Sequence, residues 1–138
     1  MRAALALSVL AILAVLADAD AARTPTSAER AALTLAVLAQ VPDTAGNRAA
    51  VVVRRVVVST VRPGPRSAFS RFAAAFVVAR DSSGYPPGPR TAVIGLQERT
   101  KGWIMVGYGP NRAVCREPQS FFGGRRAAIL RDLGIRCV

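Results

Sequence analysis

The chain contains no histidine and only two cysteines among its 138 residues. Without histidine there is no Ser-His-Asp triad, no Cys-His pair and no imidazole acid-base couple. Two thiolates alone do not complete a zinc site either. Lysine is almost absent, with Lys101 its only instance, so a Ser-Lys mechanism would rest on one residue placed in a predicted hairpin turn. Acidic side chains are few, 8 against 19 basic ones. Past the N-terminal region they are Glu29, Asp43, Asp81, Glu98, Glu117 and Asp132, about one per predicted element or loop. Glycoside hydrolysis needs two carboxyls facing each other across roughly 5–10 Å. Glu98 and Glu117 are the least implausible such pair, and solvated surface charge is the simpler reading of both. No cofactor is implied, and an enzyme ranks third among the functional readings.

What is abundant is Ala, Val and Arg. Arg2 precedes the uncharged run Ala3–Ala17, and Ala17-Asp18-Ala19-Asp20-Ala21 then alternates small residues with acids. A positive start, an apolar centre and an Ala-x-Ala exit describe a secretory signal peptide over residues 1–21, cleaved after Ala19 or Ala21. The apolar run is short of the ~20 residues of a membrane span, so a retained N-terminal anchor is the alternative. The expected mature protein is a single domain over residues 22–138, secreted, with no transmembrane span after cleavage.

In an oxidising compartment two cysteines in a small domain read as a disulfide. Cys115 and Cys137 are 22 positions apart, far from the two-residue gap of a redox motif. A Cys115–Cys137 bridge closes a loop of about 23 residues, a stabilisation of ~3 kcal/mol in the chain-entropy model.

The fold class predicted is α+β. Thr26-Ser27-Ala28-Glu29 reads as a capping box opening a helix over 27–40, with Leu33, Val37 and Val41 on its apolar face and Leu35 and Leu38 near it. Strands are expected over 49–62, where the length implies a bend or bulge, and over 69–80, 91–100 and 103–109. The last two form a hairpin turning tightly at Lys101-Gly102. In the final strand, Ile104, Val106 and Tyr108 should share one face and Trp103, Met105 and Gly107 the other. A short helix over 125–133 buries Ile129 and Leu133 and stops at Gly134. An N-terminal helix on one face of a four-stranded antiparallel sheet, with a short C-terminal helix tied by the disulfide, has a cystatin-like or NTF2-like outline. That likeness is of element order alone.

A second resemblance rests on Trp103, Gly107, Gly109 and Cys115 and on the ending Asp132-Leu133-Gly134-x-x-Cys137. This pattern resembles small secreted actinobacterial proteins of unknown function. It implies a structural motif and brings no catalytic residues with it.

Loss of Arg2 and Asp18 with the leader leaves 18 basic and 7 acidic residues, a difference of +11. Such a field attracts polyanions over a Debye length of ~8–10 Å. The primary functional reading is therefore a secreted non-enzymatic binding module, its partner an anionic cell-envelope polymer or an acidic protein. No motif for specific nucleic-acid reading is present. Arg54, Arg55, Arg62, Arg66 and Arg71 form the candidate anion-binding cluster. Arg54 and Arg55 can share a patch only if the strand bends between them, and codon bias toward arginine is the competing explanation. Gly123, Gly124, Arg125 and Arg126 are a weaker anion site at a helix start, with a Phe121-Phe122 pair packed before a tight turn as the alternative. Tyr85, Pro86 and Pro87 form a candidate partner loop. A secreted inhibitor of an extracellular enzyme, using that loop as its tip, is the alternative function.

Overall fold

Thr26 and Glu29 start the first helix by exchanging hydrogen bonds. Glu29 N donates to Thr26 Oγ1 at 3.1 Å, and Thr26 N donates to Glu29 Oε1 at 3.0 Å, the reciprocal pairing of a capping box. The helix α1 runs Ser27–Gln40. The structure, a computed structural model, describes residues 22–40, 51–79 and 88–138. The leader, Val41 and the Tyr85–Pro87 loop lie outside the described residues. Leu33, Ala36 and Val37 form the buried face of α1, whereas Leu35 is 67% exposed. At about 100° per residue Leu35 falls roughly 200° from Leu33, on the far side of the helix. Its expected place near the apolar face is corrected accordingly.

Four strands follow: β1 (Val51–Val58), β2 (Phe69–Ala79), β3 (Gly88–Gln97) and β4 (Trp103–Gly109). They pair antiparallel in chain order. β3 starts earlier than the sequence suggests, because Gly88 and Pro89 already pair with Ala79 and Val78. The β3–β4 turn is also wider than a Lys101-Gly102 pair. Lys101 N donates to the Gln97 carbonyl and Gln97 N to the Gly102 carbonyl, with Lys101 in the left-handed region at φ 57°.

Bulges reset the faces. In β1 the register shifts between Val53 and Arg55, the bend its length implied. In β4 the shift lies between Met105 and Gly107, opposite Ile94 and Val93. The extra residue, Val106, turns Tyr108 onto the face of Trp103 and Met105, away from Val106. The strict alternation expected for this strand therefore fails at one residue.

Both faces of the sheet are covered, where the sequence pointed to one. α1 lays Leu33 and Val37 against Val56, Val58, Ala75 and Ile94. The opposite face takes Phe72, Ala74 and Val93 together with Val114, Phe122, Ile129, Leu130 and Leu133. That second layer is the C-terminal segment: α2 (Asn111–Val114), a 3₁₀ turn at Gln119–Phe122 and α3 (Arg126–Asp132). Ala73, Ala74 and Ala75 are fully buried in the middle of β2. Small side chains there let the layers approach on both sides, which is why a strand carries a run that alone could suit a helix.

The second layer is fastened to the β1–β2 connection. Phe122 stacks on Phe72 with centroids 4.6 Å apart, and Phe121 meets Phe69 edge-on at 6.2 Å. Ser59 Oγ and Thr60 N donate to Asp132 Oδ2 at 2.7 and 2.8 Å. Arg125 Nη1 donates to the Arg62 carbonyl at 2.8 Å, and Ser67 Oγ donates to the Phe121 carbonyl. Gly64 and Gly123 lie backbone against backbone. The Cys115–Cys137 disulfide closes the segment with its Cα atoms 5.6 Å apart. Arg125 and Arg131 are exposed, but Arg126 is half-buried, its Nη1 donating to the Glu117 carbonyl at 2.7 Å.

Candidate functional site

The five arginines of the predicted cluster separate into different places. Arg55 is registered against Phe76, and Arg54 is the extra residue between Val53 and Arg55. Val53 and Val56 both pack toward α1, so the bend brings the two arginines between them to the other side. Arg55 Cζ lies 5.6 Å from the Phe76 ring centroid, a cation–π contact of about 0.5–1 kcal/mol when exposed. Ser59 is four residues further along from Arg55, ~13 Å of strand, and it is near Ser59 that the next arginines gather. Arg62 and Arg71 line an open pocket of ≈ 210 Å³ with Arg23, Ser59, Thr60 and Val61. Arg66 is exposed on the turn after Pro65 and does not line that pocket.

Each wall of the pocket is held from behind. Arg23 exchanges backbone hydrogen bonds with Val58, at 2.8 and 2.9 Å, which adds a single bridge outside β1. Its guanidinium is pinned by Glu29 in a two-pronged pair, Nη1–Oε1 and Nη2–Oε2 each 2.8 Å. Thr60 N is fixed on Asp132 and the Arg62 carbonyl on Arg125. Arg71 is registered against Leu96 in the sheet. The Ser59 hydroxyl spends its proton on Asp132 and accepts from Val61 N at 3.1 Å. The Thr60 hydroxyl reaches Asp132 only at 3.4 Å and is the freer of the two. Among the described residues, the side chains of Arg62 and Arg71 make no ion pair or hydrogen bond. Four guanidiniums that line or hold the pocket (Arg23, Arg62, Arg71 and Arg125) against Glu29 and Asp132 leave this corner at 4 − 2 = +2.

Arg23 escapes sequence reading because nothing in its neighbourhood marks it. The one available signal was Glu29, six residues on, read only as a cap. The Arg23 pair holds the Glu29 carboxyl at about 2, below its ordinary 4.5, helped by the Thr26 amide. The sign follows: a carboxyl whose folded value is depressed adds stability above its unfolded value and loses it as pH falls toward the folded one. With both side chains partly in water, the pair is worth ~0.5–1 kcal/mol. Glu29→Gln keeps the cap and loses the charge. It is expected to lower the urea midpoint at pH 7, with the gap to wild type narrowing as pH falls from 4.5 toward 2. A gap that is the same at pH 7 and ~3 would contradict this linkage.

The other candidates are differently placed. At the turn before α3, Gly123 N donates to the Ser120 carbonyl, Gly124 N to Gln119, Arg125 N to Phe122 and Arg126 N to Gln119 Oε1. These four N–H groups are spent internally, and the turn serves to seat Phe122 and to meet Gly64. Glu117 folds over Gly107, where burial pushes its carboxyl upward. Glu98 is exposed at the far end of the β3–β4 hairpin. Gly107 is five residues up β4 from the turn at Gly102, ~16 Å, so the two carboxyls do not face each other across one site. The described residues contain no cluster of three or more His, Cys, Asp or Glu placed to hold a metal, and no helix long and apolar enough to cross a membrane.

No family model, curated protein or solved structure matches the chain.

Proposed function

We propose that the chain is an exported, non-enzymatic binding module for anionic polymers of the cell envelope, with the pocket of Arg23, Arg62 and Arg71 as its contact point. The observation that carries this reading is the pair Arg62 and Arg71. Both line one pocket, and neither is engaged by an acidic side chain among the described residues. Arginine forks suit carboxylate and phosphate groups better than lysine does, and the surplus of 19 basic over 8 acidic residues draws polyanions toward the surface. Export is supported by the Arg2–Ala21 pattern and by a formed disulfide, which fits an oxidising compartment. The resemblance to small secreted actinobacterial proteins agrees with this reading.

The test is capture on whole cell-wall material. The exported protein, starting at Asp20 or Ala22 by N-terminal sequencing, should be retained at ~50 mM salt and largely released at ~500 mM, because exposed charges are screened. Retention that ignores salt, or exported protein that still begins at Met1, would overturn the proposal.

A further inference from the structure

We infer that the free edge of β4 takes up an extended peptide as an added strand, the partner being a protein segment with an apolar centre and acidic ends. This surface is separate from the anion pocket. β4 pairs with β3 on one side, and no described strand lies on the other. Its outer main-chain groups are aimed away from the sheet. Met105 N donates to Gln40 Oε1 at 3.0 Å, an acceptor on α1. Alternation along an antiparallel strand turns the N–H and C=O of Trp103 outward as well. Gln40 is the last residue of α1, and its amide oxygen occupies the place that the carbonyl of an added strand would take.

The two edges of the sheet differ in kind. β1 carries Arg54 and Arg55, a bulge and the bridge from Arg23 to Val58, all devices that keep another chain from pairing. β4 has seven residues without a charge, in a chain with 19 basic ones. Trp103, Ile104, Met105, Val106 and Tyr108 are only half-buried, so an added strand gains apolar contact besides main-chain hydrogen bonds. The bulge at Val106 limits the regular ladder to the Trp103–Met105 half. Charges beyond the strand choose the occupant. Arg99 and Lys101 against Glu98 leave the hairpin end at 2 − 1 = +1, and Arg112 and Arg116 against Glu117 leave the other at 2 − 1 = +1. A second copy paired antiparallel sets one positive end against the other, whereas acidic residues at both ends of a peptide meet opposite charge.

The experiment is a titration of the exported, disulfide-bonded protein with a synthetic peptide that has a Val-Thr-Val-Thr-Val centre and two glutamates at each end. Binding is followed by backbone amide NMR and by the fluorescence of Trp103, the one tryptophan of the chain. Shifts are expected at Trp103 and Met105, and they should persist in Arg62→Ser with Arg71→Ser. Gln40→Ala removes the internal competitor and should tighten binding ~2–10-fold, the worth of one hydrogen bond. A purely structural Gln40 gives no such gain. Lysines in place of the glutamates should weaken binding at least ~10-fold. Two N-methylated versions of the peptide carry their methyls on alternate residues, and the one whose methyls face β4 should lose binding while the other keeps it. Equal binding of the two versions, no gain in Gln40→Ala, or shifts confined to Thr60 and Arg62 would overturn the strand addition. Lysine ends that bind as well as glutamate ends, or dimerisation through β4 in sedimentation, would overturn the choice of partner. None of these results bears on the binding of envelope polymer at the pocket.

Discussion

Gly64→Ala should destabilise the protein by ~3 kcal/mol, a large part of a net stability of roughly 5–15 kcal/mol. A Cβ at Gly64 would sit 2.1 Å from the Gly123 carbonyl oxygen and 2.9 Å from its carbon. Both are backbone atoms, so no side chain can swing away. Gly123 is itself in the left-handed region at φ 59°, and its position sets the hydrogen bond from Gly64 N to the Phe122 carbonyl at 3.1 Å. Moving the turn outward lifts Phe122 off Phe72 and adds a packing loss to the 1–3 kcal/mol typical of overfilling. Gly124→Ala is the comparison: its Cβ meets nothing within 4 Å, and only the φ of 84° is unfavourable, at ~1–2 kcal/mol. Denaturant unfolding of the two variants separates a close approach from a backbone preference. A Gly64→Ala protein as stable as Gly124→Ala would contradict the Gly64–Gly123 contact.

Reduction of Cys115–Cys137 should lower stability by ~2–4 kcal/mol and loosen the C-terminal layer before the sheet. The bridge pins the end of the chain to the exit of β4 through α2, and without it that end can fray. Ile129, Leu130, Leu133 and Ile135 remain buried against the sheet, and Asp132 and Arg125 remain tied to the β1–β2 connection. The reduced protein should therefore stay folded at low temperature. Hydrogen exchange should show protection falling first from 111 to 138 while the amides of β2 and β3 hold. Uniform loss of protection would mean that the two layers unfold as one unit.

Most of the architecture could be read in the residues, and the failures have identifiable causes. The start of the first helix is legible in a capping box, a local signal. The strands followed from β-branched density, which is local as well. Coverage of the second face was missed because α2 and the 3₁₀ turn hold four residues each, too few to show a helical period. The alanines of β2 carried that information, since buried small residues on both sides of a strand imply two covering layers. Tyr108 was assigned to the wrong face because a bulge depends on the partner strand, and alternation within one strand cannot register it. The site shows the same division. Arg62 and Arg71 were in the predicted cluster through proximity in the chain, whereas Arg23 joins them by pairing with Val58, thirty-five positions away (58 − 23). Arg54 and Arg55 fall in the same stretch of sequence and belong to the bulge in the middle of β1.

The account stands most directly on whether anion binding is local. Retention of the exported protein on immobilised anionic cell-wall polymer, eluted across a salt gradient, should be compared for two variants of equal net charge. One is Arg62→Ser with Arg71→Ser and the other Arg112→Ser with Arg116→Ser, the latter pair being exposed outside the pocket. The pocket variant is expected to elute at clearly lower salt, with affinity down ~10-fold or more, and the second to stay close to wild type. Equal losses from both would contradict the pocket and reduce the binding to a diffuse effect of charge.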